Sequence, residues 1–158
     1  LRNDHRARSG CQRAKPVRLI ILDTNIVSEV QKKQPNARVM DWLDAQDLTN
    51  LYLTSITVGE LAFGVSCLPA GARRKALETA TTAIVEEDFR GRVLSYDTRA
   101  SWIYGAAIAK ARSRGRAIGM ADGQIGAIVL ANPGACIATR DRAPFDAMGI
   151  DVIDPWRS

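Results

Sequence analysis

The chain has 158 residues, 46% hydrophobic and 25% charged, with a formal net charge of +5. That length suits one domain with a real core, and no apolar run approaches the ~20 residues of a membrane helix. The single histidine, His5, lies near the N-terminus, so Ser-His and Cys-His nucleophilic systems, HExxH metal sites and histidine general bases have no imidazole in the core.

The first eighteen residues hold six of the basic side chains (Arg2, Arg6, Arg8, Arg13, Lys15, Arg18) and one acid, Asp4. The remaining residues carry 16 basic and 16 acidic side chains, from totals of 22 and 17. The excess positive charge is therefore an N-terminal property. Residues 1–17 lack apolar periodicity and any stretch resembling a secretory signal, so a disordered extension is expected there in preference to a nucleic-acid-binding arm, with one domain over 18–158. Cys11, Cys67 and Cys136 are too scattered for a zinc ribbon or a disulfide framework. A reduced, cytoplasmic setting is the expectation.

An apolar run from 19 to 22 ends abruptly in Asp23 and predicts a buried strand over 19–23. A short helix near 25–32 follows. Pro35-Asn36 starts another through about 46, with Val39, Trp42 and Leu43 as its core stripe. Tyr52-Leu53 is a short strand. Helices are predicted over 57–67 and 71–88, then a strand at Val93-Leu94. Helix 98–114 has the clearest period, with Ala100, Ile103, Tyr104, Ala107, Ile108 and Ala111 on one stripe. Asp97 is its natural N-cap. A helix over 121–131 ends at Asn132-Pro133-Gly134, and strands at 136–139 and Val152-Ile153 complete the chain. Strands alternating with helices predict an α/β fold, a three-layer sandwich on a mainly parallel sheet.

Four acids stand at these junctions, and each has an ordinary structural role open to it. Asp23 ends the first strand and suits a helix N-cap. Glu60 fits a capping box, Thr57-Val58-Gly59-Glu60, yet apolar Leu61, Ala62, Phe63 and Val65 put it beside a buried face. Asp122 opens a helix built of small residues, where an acid is a common cap. Asp141 follows the strand over 135–139 by two residues, where an Asx-turn would explain it. Together they carry more weight. In a parallel sheet these junctions can converge on one edge, the place where such sheets bind ligands. Four crowded carboxylates repel one another unless a cation neutralises them. A hard divalent ion that retains waters is the natural partner, and such sites hydrolyse phosphodiesters.

The ordered blocks ILDTNIVSE, TVGELAFGV, MADGQIGAI and ATRDRAPF, ending in DPW, resemble the PIN-domain ribonucleases. They are most similar to the VapC/FitB-type toxins of bacterial toxin–antitoxin pairs. The resemblance runs from about 19 to 156. It implies a PIN-like α/β/α sandwich and a metal-dependent endoribonuclease. Carried over block by block, the family's acids fall on Asp23, Glu60, Asp122 and Asp141. The first three would hold Mg²⁺ or Mn²⁺, and Asp141 would complete the site or bind a second ion. Asn25 and Thr139 match polar positions that help hold the acids. The resemblance further implies an RNA substrate, a cognate antitoxin that is itself DNA-binding, and a homodimer with no membrane role.

The basic cluster Lys110, Arg112, Arg114 and Arg116 reads as a solvated helix end, with RNA backbone contact as the functional alternative. Arg140 and Arg142 flank the fourth acid and are better placed to meet phosphate. The Trp42 stripe reads as core, although relatives use nearby helices to clasp an antitoxin. A PIN-like binding or regulatory module without nuclease activity is the other function class, disfavoured by the presence of all four acids. A metal-dependent phosphatase or a response-regulator receiver, also α/β with clustered acids, is a third reading, and a receiver would want paired acids at its first strand and a lysine near its last. The chain has one acid at 23 and no lysine after Lys110.

Overall fold

The computed structural model describes residues 18–157. The extension expected over residues 1–17 lies outside the described residues. A five-stranded, wholly parallel sheet forms the centre: β1 (Ile20–Leu22), β2 (Leu51–Thr54), β3 (Val93–Leu94), β4 (Cys136–Ala138) and β5 (Val152–Ile153), in the order β3-β2-β1-β4-β5. The first strand is central because both of its faces are apolar. Ile20 and Leu22 enter one core cluster and Ile21 the other, the two-residue alternation of a strand read on both sides. In β4, Cys136 and Ala138 go one way and Ile137 the other.

Helices cover each face. On one side α1 (Thr24–Val30), α2 (Ala37–Asp44) and α3 (Ser55–Ser66) deliver Ile26, Val27, Val39 and Leu61 to the first cluster. A helix α4 (Ala72–Ala83) continues into a wider turn at Ile84–Asp88, which adds Ile84, Val85 and Phe89. On the other side α5 (Thr98–Ser113), α6 (Met120–Ala131) and α7 (Ala143–Ala147) deliver Ala100, Ile125, Ile128 and Phe145. The layers and the sheet agree with the sequence reading. Among the described residues, no helix is long and apolar enough to cross a membrane.

Three local differences have physical causes. The helix expected over 71–88 loses its α pitch after Ala83, where Phe89 N–H bonds Ile84 C=O at 2.9 Å. That five-residue step lets Ile84 and Phe89 both reach the core. The third helix begins two residues early, at Ser55, because Thr54 at the end of β2 caps it directly. Finally, α7 was not expected: five residues carry no helical period, although Pro144 at its start and buried Phe145 account for it.

Candidate active site

At the carboxyl end of the sheet, β1 and β4 run side by side. The Asp23 N–H extends their ladder by donating to Ala138 C=O at 3.0 Å. The chain turns into α1 there, and Asp23 is its N-cap, with Oδ1 accepting from Thr24 N–H at 2.8 Å. Its Oδ2 accepts from Thr139 Oγ1 at 2.6 Å and Asn25 Nδ2 at 2.8 Å. A carboxylate offers about four lone-pair positions, so three are taken and the carboxyl is held in one orientation. Asp23 is thus both the expected cap and a wall of the cleft described below. Burial raises its pKa, the Thr139 and Thr24 bonds oppose the rise, and the charges of Glu60 and Asp141 add to it.

Glu60 corrects the sequence reading. Thr57 is no cap: its N–H donates to Thr54 Oγ1 at 3.0 Å, and the two hydroxyls lie 2.9 Å apart. With the helix starting at Ser55, Glu60 falls in its second turn, free of any capping box. Its Oε2 instead accepts from Thr24 Oγ1 at 2.5 Å. The hydroxyl after Asp23 therefore sets the acid contributed by another helix, a pairing that local sequence pattern does not mark.

Asp122 is the third residue of α6, whose N-cap is Gly119, without a side-chain cap bond. A Cβ at Gly119 would lie 3.3 Å from Asp122 Oδ2, so the glycine leaves room for the carboxyl beside the helix start. Half-buried, Asp122 has its pKa pushed up to about 6, by burial first and then by the charges of Asp23, Asp141 and Glu60. Small residues bring this helix in close. A Cβ at Gly123 would meet Tyr104 and Ile108 of α5 at 2.8 Å.

Asp141 leaves β4 through a turn closed by its own N–H on Thr139 Oγ1 at 3.1 Å. The hydroxyl of Thr139, rather than an Asx-turn, makes that bend. Asp141 is exposed, and its charge reaches both Asp23 and Asp122.

All four acids line one cleft of about 420 Å³, with Thr24, Asn25, Glu29, Lys32, Arg140 and Trp156 also on its walls. Glu29 is matched by Lys32 at 2.6 Å and by Asn36 N–H at 2.9 Å. The Lys32 bond, then the Asn36 bond, hold its carboxyl below the usual range, with a smaller contribution from the Arg140 charge. Of the two flanking arginines, Arg140 lines the cleft. Arg142 turns away, to Val152 C=O at 3.1 Å and Asp146 at 3.4 Å. The basic end of α5 is exposed and takes no part in the cleft wall.

The donor set is chemically uniform: hard carboxylate oxygens, with the Asp122 pKa raised by burial first and by the charges of its neighbours second. A divalent cation reverses that repulsion. Among the described residues no three acids stand close enough to enclose an ion by themselves. Mg²⁺ does not require that, since it retains several waters and needs only one or two direct carboxylates. The residues fit such an ion.

The PIN domain family matches residues 20–150 of the chain. VapC ribonuclease Y4jK of Sinorhizobium fredii is 45% identical, over 87% of this chain and 98% of that protein. Toxin FitB of Neisseria gonorrhoeae is 38% identical, over 87% of this chain and 99% of that protein. Among solved structures, FitAB bound to the IR36 DNA fragment superposes with a TM-score of 0.82, at 37% identity, covering 87% of this chain and 95% of that one.

Proposed function

The chain belongs to the PIN-domain family, and on that premise we propose that it is a divalent-metal-dependent endoribonuclease, the toxin of a toxin–antitoxin pair. The observation that carries this reading is the gathering of Asp23, Glu60, Asp122 and Asp141 on one cleft at the carboxyl end of β1 and β4. Between them these four residues would hold Mg²⁺ or Mn²⁺, one or two carboxylates directly and the others through waters that the ion retains. When bound, such an ion supplies a water nucleophile at neutral pH and neutralises charge on the phosphodiester.

The chain's own residues prepare the site. Thr139, Asn25 and the Thr24 N–H lock the Asp23 carboxyl before any ligand arrives. Thr24 Oγ1 does the same for Glu60. Asp122 and Asp141 add negative charge that attracts a cation. Preset donors of this kind cost no reorganisation at the moment of reaction.

A protein antitoxin, itself DNA-binding, is supported by the likeness to FitAB bound to DNA. A homodimer is the expectation carried over from the family, and the large apolar side chains left exposed, Phe63, Trp102 and Met120, are its candidate contacts.

The test is cleavage of single-stranded RNA by purified protein in Mg²⁺ or Mn²⁺. Asp23→Asn should abolish cleavage while circular dichroism stays unchanged, since the amide keeps the packing and loses the charge. Cleavage by Asp23→Asn at the wild-type rate would overturn the assignment.

A further inference from the structure

Two cations line the acidic cleft among the described residues, Lys32 and Arg140. Lys32 is already matched by Glu29. Arg140 forms no ion pair with a described carboxylate. Its guanidinium carbon lies 5.4 Å from the centroid of the Trp156 ring, within cation–π range. Trp156 is itself anchored: its backbone N–H donates to Asp154 Oδ1 at 3.1 Å, its backbone C=O accepts from Arg38 at 3.4 Å, and its ring packs on the core cluster around β1. At the other end of the arginine, its backbone N–H approaches Asn25 Oδ1 at 3.4 Å. The amide nitrogen of that same Asn25 donates to Asp23 and Thr139.

Arg140 is thus tied at its backbone to the group that orients Asp23, and at its head to a fixed indole. Holding a long side chain in this way lowers the ordering cost of a contact. A guanidinium laid over a ring still presents its N–H edge, the geometry suited to phosphate oxygens. A cleft walled by carboxylates repels a polyanion, and a cation at its rim offsets that repulsion locally.

Resting on the reading of this cleft as RNA-cleaving, we infer that Arg140, held over Trp156, binds a phosphate of the single-stranded substrate next to the one being cut. The contact recognises backbone charge, so it adds affinity without base preference.

The experiment compares wild type, Arg140→Ala, Arg140→Lys and Trp156→Phe in steady-state cleavage and in anisotropy of labelled single-stranded RNA in EDTA, both across a salt series. Arg140→Ala should raise KM and weaken binding roughly tenfold. Its kcat should stay near wild type, and its log–log salt slope should become shallower by about 0.7. Arg140→Lys, which keeps the charge, should retain the salt slope, and Trp156→Phe should fall between wild type and Arg140→Ala. Unchanged KM and salt slope in Arg140→Ala would overturn the inference. So would a fall in kcat alone, or a loss confined to certain base sequences, which would make the pair a base-stacking platform. If wild type cuts no RNA in either metal, the nuclease reading fails by itself, and the anisotropy slopes still decide the role of Arg140.

Discussion

Thr24 and Glu60 are 36 positions apart in sequence, yet one hydroxyl proton joins them. Removing it by Thr24→Val should leave Glu60 unoriented and lower kcat about ten- to a hundredfold, the rate equivalent of one hydrogen bond to a charged group. Thr24→Ser should restore most of the rate, and equal rates for valine and threonine would refute the link. Asp122 allows a test that needs no substrate. Its folded pKa of about 6 lies above the ordinary 3.8, so the metal-free fold carries a penalty above pH 6 that is relieved as pH falls toward 4. Asp122→Asn should therefore stabilise metal-free protein at pH 7.5. The gain is about 1 kcal/mol once solvent screening of a half-exposed group is allowed for, or about 2–4 °C in Tm. Below about pH 4 the difference should vanish. Mg²⁺ should then raise the wild-type Tm by binding the native state, and the variant's less. Melting curves in EDTA at the two pH values check the sign, and a lower Tm for Asp122→Asn at pH 7.5 would contradict it. Residue type and position singled out the four acids that line the cleft, Asp23 and Asp141 just after apolar strands and Glu60 and Asp122 near helix starts, while their grouping came from the ordered family blocks. Partners such as Thr24, or Trp156 beneath Arg140, depend on which turns face one another, which local patterning does not encode.

Element by element, legibility followed length and period. The stripe predicted for α5 is the one the structure turns inward, with Ala100 and Ala111 fully buried. The start of α3 misled, because Thr54 and Thr57 can each cap and no loop separates strand from helix. The Thr57 N–H, donating to Thr54 Oγ1 at 3.0 Å, decides in favour of Thr54. The glycines of α6 give a graded prediction. At Gly126 a new Cβ would meet the Met148 thioether at 2.5 Å and Ile150 at 3.1 Å; at Gly123 it would meet the Tyr104 ring and Ile108 at 2.8 Å. A methionine tip can move aside, whereas a packed ring moves less. Alanine gains about 1 kcal/mol of helix propensity at either site, and overpacking costs about 1–3 kcal/mol. Gly126→Ala should thus be nearly neutral, and Gly123→Ala should destabilise by about 1–2 kcal/mol. Gly123→Ala should also slow cleavage, because Asp122 is its neighbour. Urea unfolding of both variants ranks them, and the reverse order would show that α5 yields more easily than Met148.

For the whole molecule, strand order explains where the cleft lies. From β1 the chain steps outward to β2 and β3, then returns to β4 and β5 on the other side. That reversal opens a crevice at the strand ends, as open parallel sheets do, and Asp23 and Asp141 stand on its two lips. Outside the first eighteen residues the charges balance, so whatever RNA affinity the folded domain itself contributes rests on local features and not on its net charge. The exposed Trp102 and Phe63, 80% and 71% accessible, bear on assembly. Trp102→Arg should convert a dimer into a monomer in light scattering without loss of helix content, and wild type already monomeric at micromolar concentration would remove the expectation. The bond from Thr139 to Asp23 spans 116 positions, and this carries a consequence in time. During synthesis, Asp23, Glu60 and Asp122 all leave the ribosome before the strand that clamps the first of them. Chains cut short before β4 would hold three of the acids and no finished cleft, so the hazard this protein carries is assembled only as its last strands are laid down.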